Sequence, residues 1–150
     1  MSSAKSFKMI IIEPNIRALL IEDAVNSFPD ECCGFLFGAE DDHENRSILE
    51  IRVTDNSKPG DKTRRFEISA LDYMKAEQYA LEKKWQLLGV YHSHPNHPAI
   101  PSEHDRKAAQ PFFSYVIISV LNNEIITLRS WRLNEQEQFE EERILDYQFM

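Results

Sequence analysis

QLLGVYHSHPNHPAIPSEHD, residues Gln86 to Asp105, joins an apolar run to a segment with four histidines and ends in an acid. The run Gln86–His94 reads as a strand leading straight into the histidines. Side chains of an extended chain repeat with a period of two, so His92 and His94 leave the same face and their imidazoles converge. A metal such as zinc requires at least one more protein ligand, and a catalytic ion keeps its remaining position for water. Asp105 follows a proline-stiffened loop and falls in the first turn of a short helix expected over Ser102–Ala109. From there its carboxylate can fold back and complete a two-histidine, one-carboxylate set. Taken alone, Ser102 and Asp105 form the Ser-x-x-Asp pattern of a capping box, a common way to start a helix. The whole pattern His-x-His-Pro-x6-Ser-x-x-Asp is far more restrictive. Background residue frequencies make a chance match in a chain of this size roughly one in 10^4 to 10^5.

Upstream of this stretch, Ser69 caps a helix through SALDYMKAEQYALEKKW, with Leu71, Met74, Gln78, Leu81 and Trp85 expected on its inward side. CGFLFGAE and RSILEIRVTDN read as two strands of a hairpin with its loop around Asp41–Asn45. Before them, Ile16, Leu19, Leu20, Ala24 and Phe28 recur at helical spacing between Pro14 and Pro29, preceded by a short strand at Lys8–Ile12. Downstream, Pro111 ends the short helix. The strands FSYVIISVL and EIITLRSWRL follow, joined at Asn122-Asn123, a pair suited to a tight turn. The acidic tail from Asn134, with scattered Phe139, Ile144, Leu145 and Tyr147, fits a weak strand or a helix.

The 150 residues are about one domain's worth, expected to form a single unit over 1–150. A composition of 42% hydrophobic and 28% charged residues is that of an ordinary globular protein. Asp and Glu number 25 against 17 Lys and Arg, a formal charge of -8, which argues against nucleic acid as the main partner. The one basic cluster, Lys58 to Arg65, is broken by Pro59 and Gly60 and reads as a loop. Cys32 and Cys33 are adjacent and poorly placed to bridge each other, which favours a reducing compartment. No signal pattern and no apolar run of membrane-spanning length is present, so the expected location is cytoplasmic, with no membrane partner.

The motif residues HSHP, Ser102 and Asp105 resemble the JAMM, or MPN-plus, metalloproteases, whose signature is an upstream glutamate followed by His-Ser/Thr-His-Pro and Ser-x-x-Asp. Glu31 in PDECCGFLFG stands where that family keeps its glutamate, after the first helix and at the head of a strand. The resemblance extends from that helix through SYVIISV and SWRL to FEEE. It is closest to small stand-alone bacterial members. It implies an α+β, cytidine-deaminase-like fold, a curved mixed β-sheet flanked by helices. It further implies that His92, His94 and Asp105 bind one zinc ion, that Glu31 is the general base, and that Ser102 donates its hydroxyl to the substrate carbonyl as negative charge develops there.

The substrate so implied is a ubiquitin-like sulfur-carrier protein, cut at an amide or isopeptide bond after its Gly-Gly tail. The Lys58–Arg65 loop or the hairpin end near Asp41 would wall the groove for that tail. A general deubiquitinase-like isopeptidase and a non-catalytic MPN scaffold are the alternatives; the scaffold reading fits poorly because scaffolds usually lack motif residues. Whether the chain is a monomer or a homodimer is left open. His97 and His104 fall outside the ligand set, His43 belongs to a solvated acidic loop, and Ser93 points away from the histidine face. A thiol-protease role for Cys32 or Cys33 is disfavoured, since small buried cysteines at a strand start are common. A deaminase-type zinc site needs His-x-Glu and Pro-Cys-x-x-Cys, and the chain has neither.

Overall fold

The computed structural model describes residues 8–122 and 124–145. Its strands are β1 (Met9–Ile11), β2 (Cys33–Glu40), β3 (Arg46–Thr54), β4 (Gln86–Pro95), β5 (Ser114–Leu121), β6 (Ile125–Leu133) and β7 (Phe139–Leu145), and its helices are α1 (Pro14–Ser27), α2 (Ala70–Lys83) and α3 (Glu103–Ala108). Asn123, half of the expected turn, and Tyr147 of the tail lie outside the described residues. No helix among the described residues is long and apolar enough to cross a membrane.

The sheet runs β1-β3-β2-β4-β5-β6-β7 and closes on itself into a barrel, where a curved mixed sheet was expected. Closure comes from one short apolar segment. β1 pairs in parallel with β3 on one side and with β7 on the other. The tail, ambiguous by its pattern, is therefore a strand because it supplies the last free edge with a partner. Within this frame β2 and β3 form the expected antiparallel hairpin, and Asp41 Oδ1 accepts from the amides of His43 and Asn45 in its loop. That loop lies at the far end of β2 from Cys33, the residue paired with His92, so the hairpin end near Asp41 does not wall the histidine site. β4 lies between β2, antiparallel, and β5, parallel. At Gly89 a Cβ would come within 1.9 Å of the Ser114 carbonyl oxygen, so the parallel pairing of β4 with β5 depends on a glycine there.

Two apolar clusters divide the interior. α1 packs by Ile16, Leu20 and Ala24 with Leu36, Leu88, Tyr91, Val116 and Ile118. Leu19, expected inside, is 47% exposed, one residue round the helix from the Ile16–Leu20–Ala24 stripe. The second cluster joins α2 to Phe35, Phe37, Val90 and Tyr115. Here the expected inward face is corrected: Leu71, Met74 and Leu81 are exposed, while Ala76 and Ala80 are buried. The small alanines let the helix sit close to the sheet. Tyr73 and Tyr79 then meet Phe35 and Phe37 edge to face, at 5.4 and 5.2 Å between centroids.

At the barrel end near Asp41, two buried arginines tie six strands together, β2 to β7. Arg46 donates to Glu40, to Ser114 Oγ and to the carbonyls of Leu88 and Phe112. Arg132 pairs with the buried Glu142 and donates to the Glu44 carbonyl, while Ser130 Oγ also donates to Glu142 at 2.6 Å. The opposite end is where the chemistry-bearing residues gather.

Candidate metal centre

Val90, His92 and His94 alternate along β4 on the face that α2 covers, and both histidines are buried. Tyr91 and Ser93 take the other face. Ser93 Oγ accepts from the Cys32 amide at 2.8 Å, and the Ser93 amide donates to the Cys32 carbonyl at 3.2 Å. These bonds fasten the segment carrying Glu31 to β4, on the side of the strand away from the histidines.

α3 brings the third group. Ser102 Oγ accepts from the Asp105 amide at 3.0 Å, and Asp105 Oδ2 accepts from the Ser102 amide at 2.9 Å, a complete capping box. The same Oδ2 lies 3.3 Å from His92 Nε2 and 3.2 Å from His94 Nε2, and the two Nε2 atoms are 3.2 Å apart. Cap and site are thus one device: the box aims the carboxylate oxygen at the histidines. Tetrahedral bonds of about 2.0–2.1 Å place ligand atoms about 3.3–3.4 Å apart, so the donor set fits a zinc-sized ion.

The protonation pattern suits the same use. His94 Nδ1 donates to the Pro98 carbonyl at 2.8 Å, which directs the Nε2 lone pair toward Asp105 and His92. Burial lowers His92, keeping it neutral as a ligand must be. For His94 burial also acts downward, but Asp105 and the Pro98 carbonyl outweigh it and raise the imidazole. Burial opposes ionisation of Asp105, yet His92, His94 and the Ser102 amide hold the carboxyl well below the usual range. In the absence of a metal the cluster therefore keeps a proton that a cation would displace.

Glu31 comes two residues before Cys33, whose partner across the β2–β4 pairing is His92. It is 5% exposed, and its Oε1 has no hydrogen-bond partner among the described residues. Burial pushes its carboxyl up to about 8, with His94 opposing, Asp105 adding to the rise and Arg65 opposing. Arg65 also places Nη1 3.2 Å from His104 Nδ1, so the Lys58–Arg65 loop reaches α3 beside the site. His43 and His97 are exposed and outside the donor set. The thiols of Cys32 and Cys33 are free and buried, and burial raises both, Cys33 to about 12, which leaves no thiolate for a nucleophile near neutral pH. Two contributions escape a reading of the sequence. The Pro98 carbonyl is a backbone group with no residue-type signal, and the unpartnered state of Glu31 Oε1 depends on neighbours distant in the chain.

The profile of the prokaryotic homologs of the JAB domain matches residues 13–134. A curated desampylase of Pyrococcus furiosus is 32% identical over 150 residues, spanning 96% of this chain and 97% of the relative. The solution structure of a protein from Desulfitobacterium hafniense superposes with a TM-score of 0.81 at 25% identity, over 92% of each chain. Another, from Salinibacter ruber, gives 0.70 at 34% identity, over 95% of this chain and 92% of the other.

Proposed function

The chain belongs to the prokaryotic homologs of the JAB domain, within the JAMM/MPN family, and on that premise we propose that it is a zinc-dependent metallopeptidase acting as one domain. Its substrate is a ubiquitin-like protein of the sulfur-carrier type, and the bond cut is the amide or isopeptide that follows the Gly-Gly tail. The observation that carries this reading is the convergence of His92 Nε2, His94 Nε2 and Asp105 Oδ2 at ligand spacing beside a buried carboxylate whose Oε1 has no hydrogen-bond partner among the described residues. The relative named for desampylase activity supports the ubiquitin-like substrate. A cytoplasmic setting accompanies it, consistent with two free buried cysteines.

His92, His94 and Asp105 hold the ion, which when bound acidifies water and polarises the scissile carbonyl. Glu31 accepts the proton of the attacking water and returns it to the leaving amine; its raised affinity for a proton suits both transfers. Ser102 uses an oxygen lone pair for the Asp105 amide, which leaves its hydroxyl hydrogen free for the carbonyl oxygen as charge develops there. A glycine tail has no side chains and lies extended in a narrow groove, and the loop through Lys62 and Arg65, beside Glu31 and His104, forms one wall of it.

The test is mass-spectrometric cleavage of two substrate series, a ubiquitin-like carrier with residues added after Gly-Gly and the same carrier linked to a lysine side chain. Zinc-loaded protein should release the free Gly-Gly terminus, and chelation should stop it. Cleavage confined to the lysine-linked series would assign a general isopeptidase, and no cleavage of either by fully loaded protein would sink the proposal.

A further inference from the structure

We propose that Phe66, pinned by Asn56, is a positioning residue for His92, which makes the loop between β3 and α2 a working part of the metal centre. The inference rests on His92 being a metal ligand. The two histidines are held by different means. His94 is anchored through Nδ1 to the Pro98 carbonyl, whereas His92 Nδ1 is buried and has no hydrogen-bond partner among the described residues. A ligand histidine ordinarily donates its second nitrogen to an acceptor that fixes the ring. Without one, rotation about the bond to the ring is broad and two-fold, and a half-turn would put the carbon Cε1 where Nε2 faces the metal.

Phe66 supplies the missing restraint. Its ring stacks on His92 at 4.4 Å between centroids and 25° between planes. An imidazole turning about its Cβ–Cγ bond sweeps out of its own plane, into the face of that phenyl ring, so stacking blocks the motion that a hydrogen bond would otherwise prevent.

The phenyl ring is itself fixed. Asn56 Oδ1 accepts from the Glu67 amide at 3.1 Å and its Nδ2 donates to the Arg65 carbonyl at 3.1 Å, one bond on each side of Phe66. The same Nδ2 donates to the Glu31 carbonyl at 3.2 Å, and Glu31 donates its amide to the Lys62 carbonyl at 2.7 Å. Ser57 adds a second tie, its amide and hydroxyl both donating to the Glu67 carbonyl. One asparagine side chain therefore joins the backbone of Glu31 to the loop that orients His92. An aspartate at position 56 could accept but not donate, and would release the Glu31 and Arg65 carbonyls.

The full chain, stripped of metal and titrated with zinc against a chromophoric chelator, tests this, with the visible spectrum of the cobalt-loaded protein as a measure of ligand geometry. Phe66→Ala should weaken zinc binding roughly 10–100-fold, the usual effect of losing an outer partner of a metal-bound histidine, and change the cobalt bands. Phe66→Leu, which keeps apolar volume without a ring face, should do the same and serves where the alanine variant does not fold. Phe66→Tyr should restore affinity and spectrum, and Asn56→Asp should behave like Phe66→Ala. Unchanged affinity and bands in Phe66→Ala or Phe66→Leu would overturn the inference. So would a Phe66→Tyr variant that melts like the unsubstituted chain yet binds as weakly as Phe66→Ala. Failure of the unsubstituted chain to take up metal would remove the metal reading and this inference together, whereas equal uptake by all variants would remove this inference alone.

Discussion

Glu31 sits in its pocket at a cost. Its folded value of about 8 lies above the 4.5 of a free glutamate, so the folded chain holds a proton that the unfolded chain releases between those values. Stability of the metal-free protein should therefore fall as pH rises from about 4.5 to about 8, with the full penalty above the folded value. Glu31→Gln removes the titration. The metal-free variant should melt higher than the parent at pH 8 to 9 and close to it at pH 5, and equal melting curves at both would contradict the buried carboxylate. The same variant should keep its zinc and lose roughly 10^2–10^4-fold in turnover, the usual worth of a general base. Retained cleavage would remove Glu31 from the base role. Asp105→Ala deletes one of three donors and should lower zinc stoichiometry on metal analysis, an outcome its neighbour Glu103, exposed and outside the donor set, should not reproduce.

Among the elements, α3 is only six residues long and its start is set by the Ser102–Asp105 box. Ser102→Ala should cost about 1 kcal/mol in stability through the lost cap. Ser102→Asn restores a side-chain acceptor without a hydroxyl hydrogen in that place. It should recover the melting temperature and leave turnover low; full recovery of turnover would reduce Ser102 to a cap. On α2 the contrast lies between neighbours. Leu81 is 78% exposed and Ala80 is 4% exposed, so Leu81→Lys should change stability by less than about 0.5 kcal/mol, whereas Ala80→Leu should lose about 1–3 kcal/mol by overpacking against the sheet. Denaturant midpoints read both. Periodicity alone points the other way, because the larger apolar residues of α2 line up on one side while the side that meets the sheet is chosen by how closely two backbones approach.

For the molecule as a whole, closure of the barrel concentrates charge in its interior. Arg132 and Glu142 are 6% and 4% exposed, and they pair diagonally across β6 and β7, where Glu142 lies opposite Ser130 and Arg132 opposite Glu140. Removing one partner leaves a buried uncompensated charge, so Arg132→Ala should cost about 3–5 kcal/mol in denaturant unfolding. Replacing both by apolar residues of similar size should cost less than the single change. If the double variant is the weaker of the two, the pair itself is what stabilises the closure.

Much was legible without coordinates. Element order and the boundaries of β2, β4, α3 and β5 follow from local alternation, prolines and a cap, and the equal spacing of His92 and His94 puts both imidazoles on one face. These features are local, and local steric preference decides them. Tertiary structure alone decided the rest. The tail became β7 because β1 offered it an edge, the inward face of α2 was set by how closely its Ala76 and Ala80 side approaches the sheet, and Asp105 Oδ2 acquired its second duty from histidines on another element. His92 is held by a phenyl ring that no spacing rule connects to it, since contact between positions 66 and 92 exists only after the loop is pinned by Asn56. Sequence by itself determined which chemistry was available, because residue type sets donors, charge and proton affinity. Only the folded chain decided the distances, the burial and the unpartnered oxygen on Glu31, because these arise where segments far apart in sequence exclude water from one another.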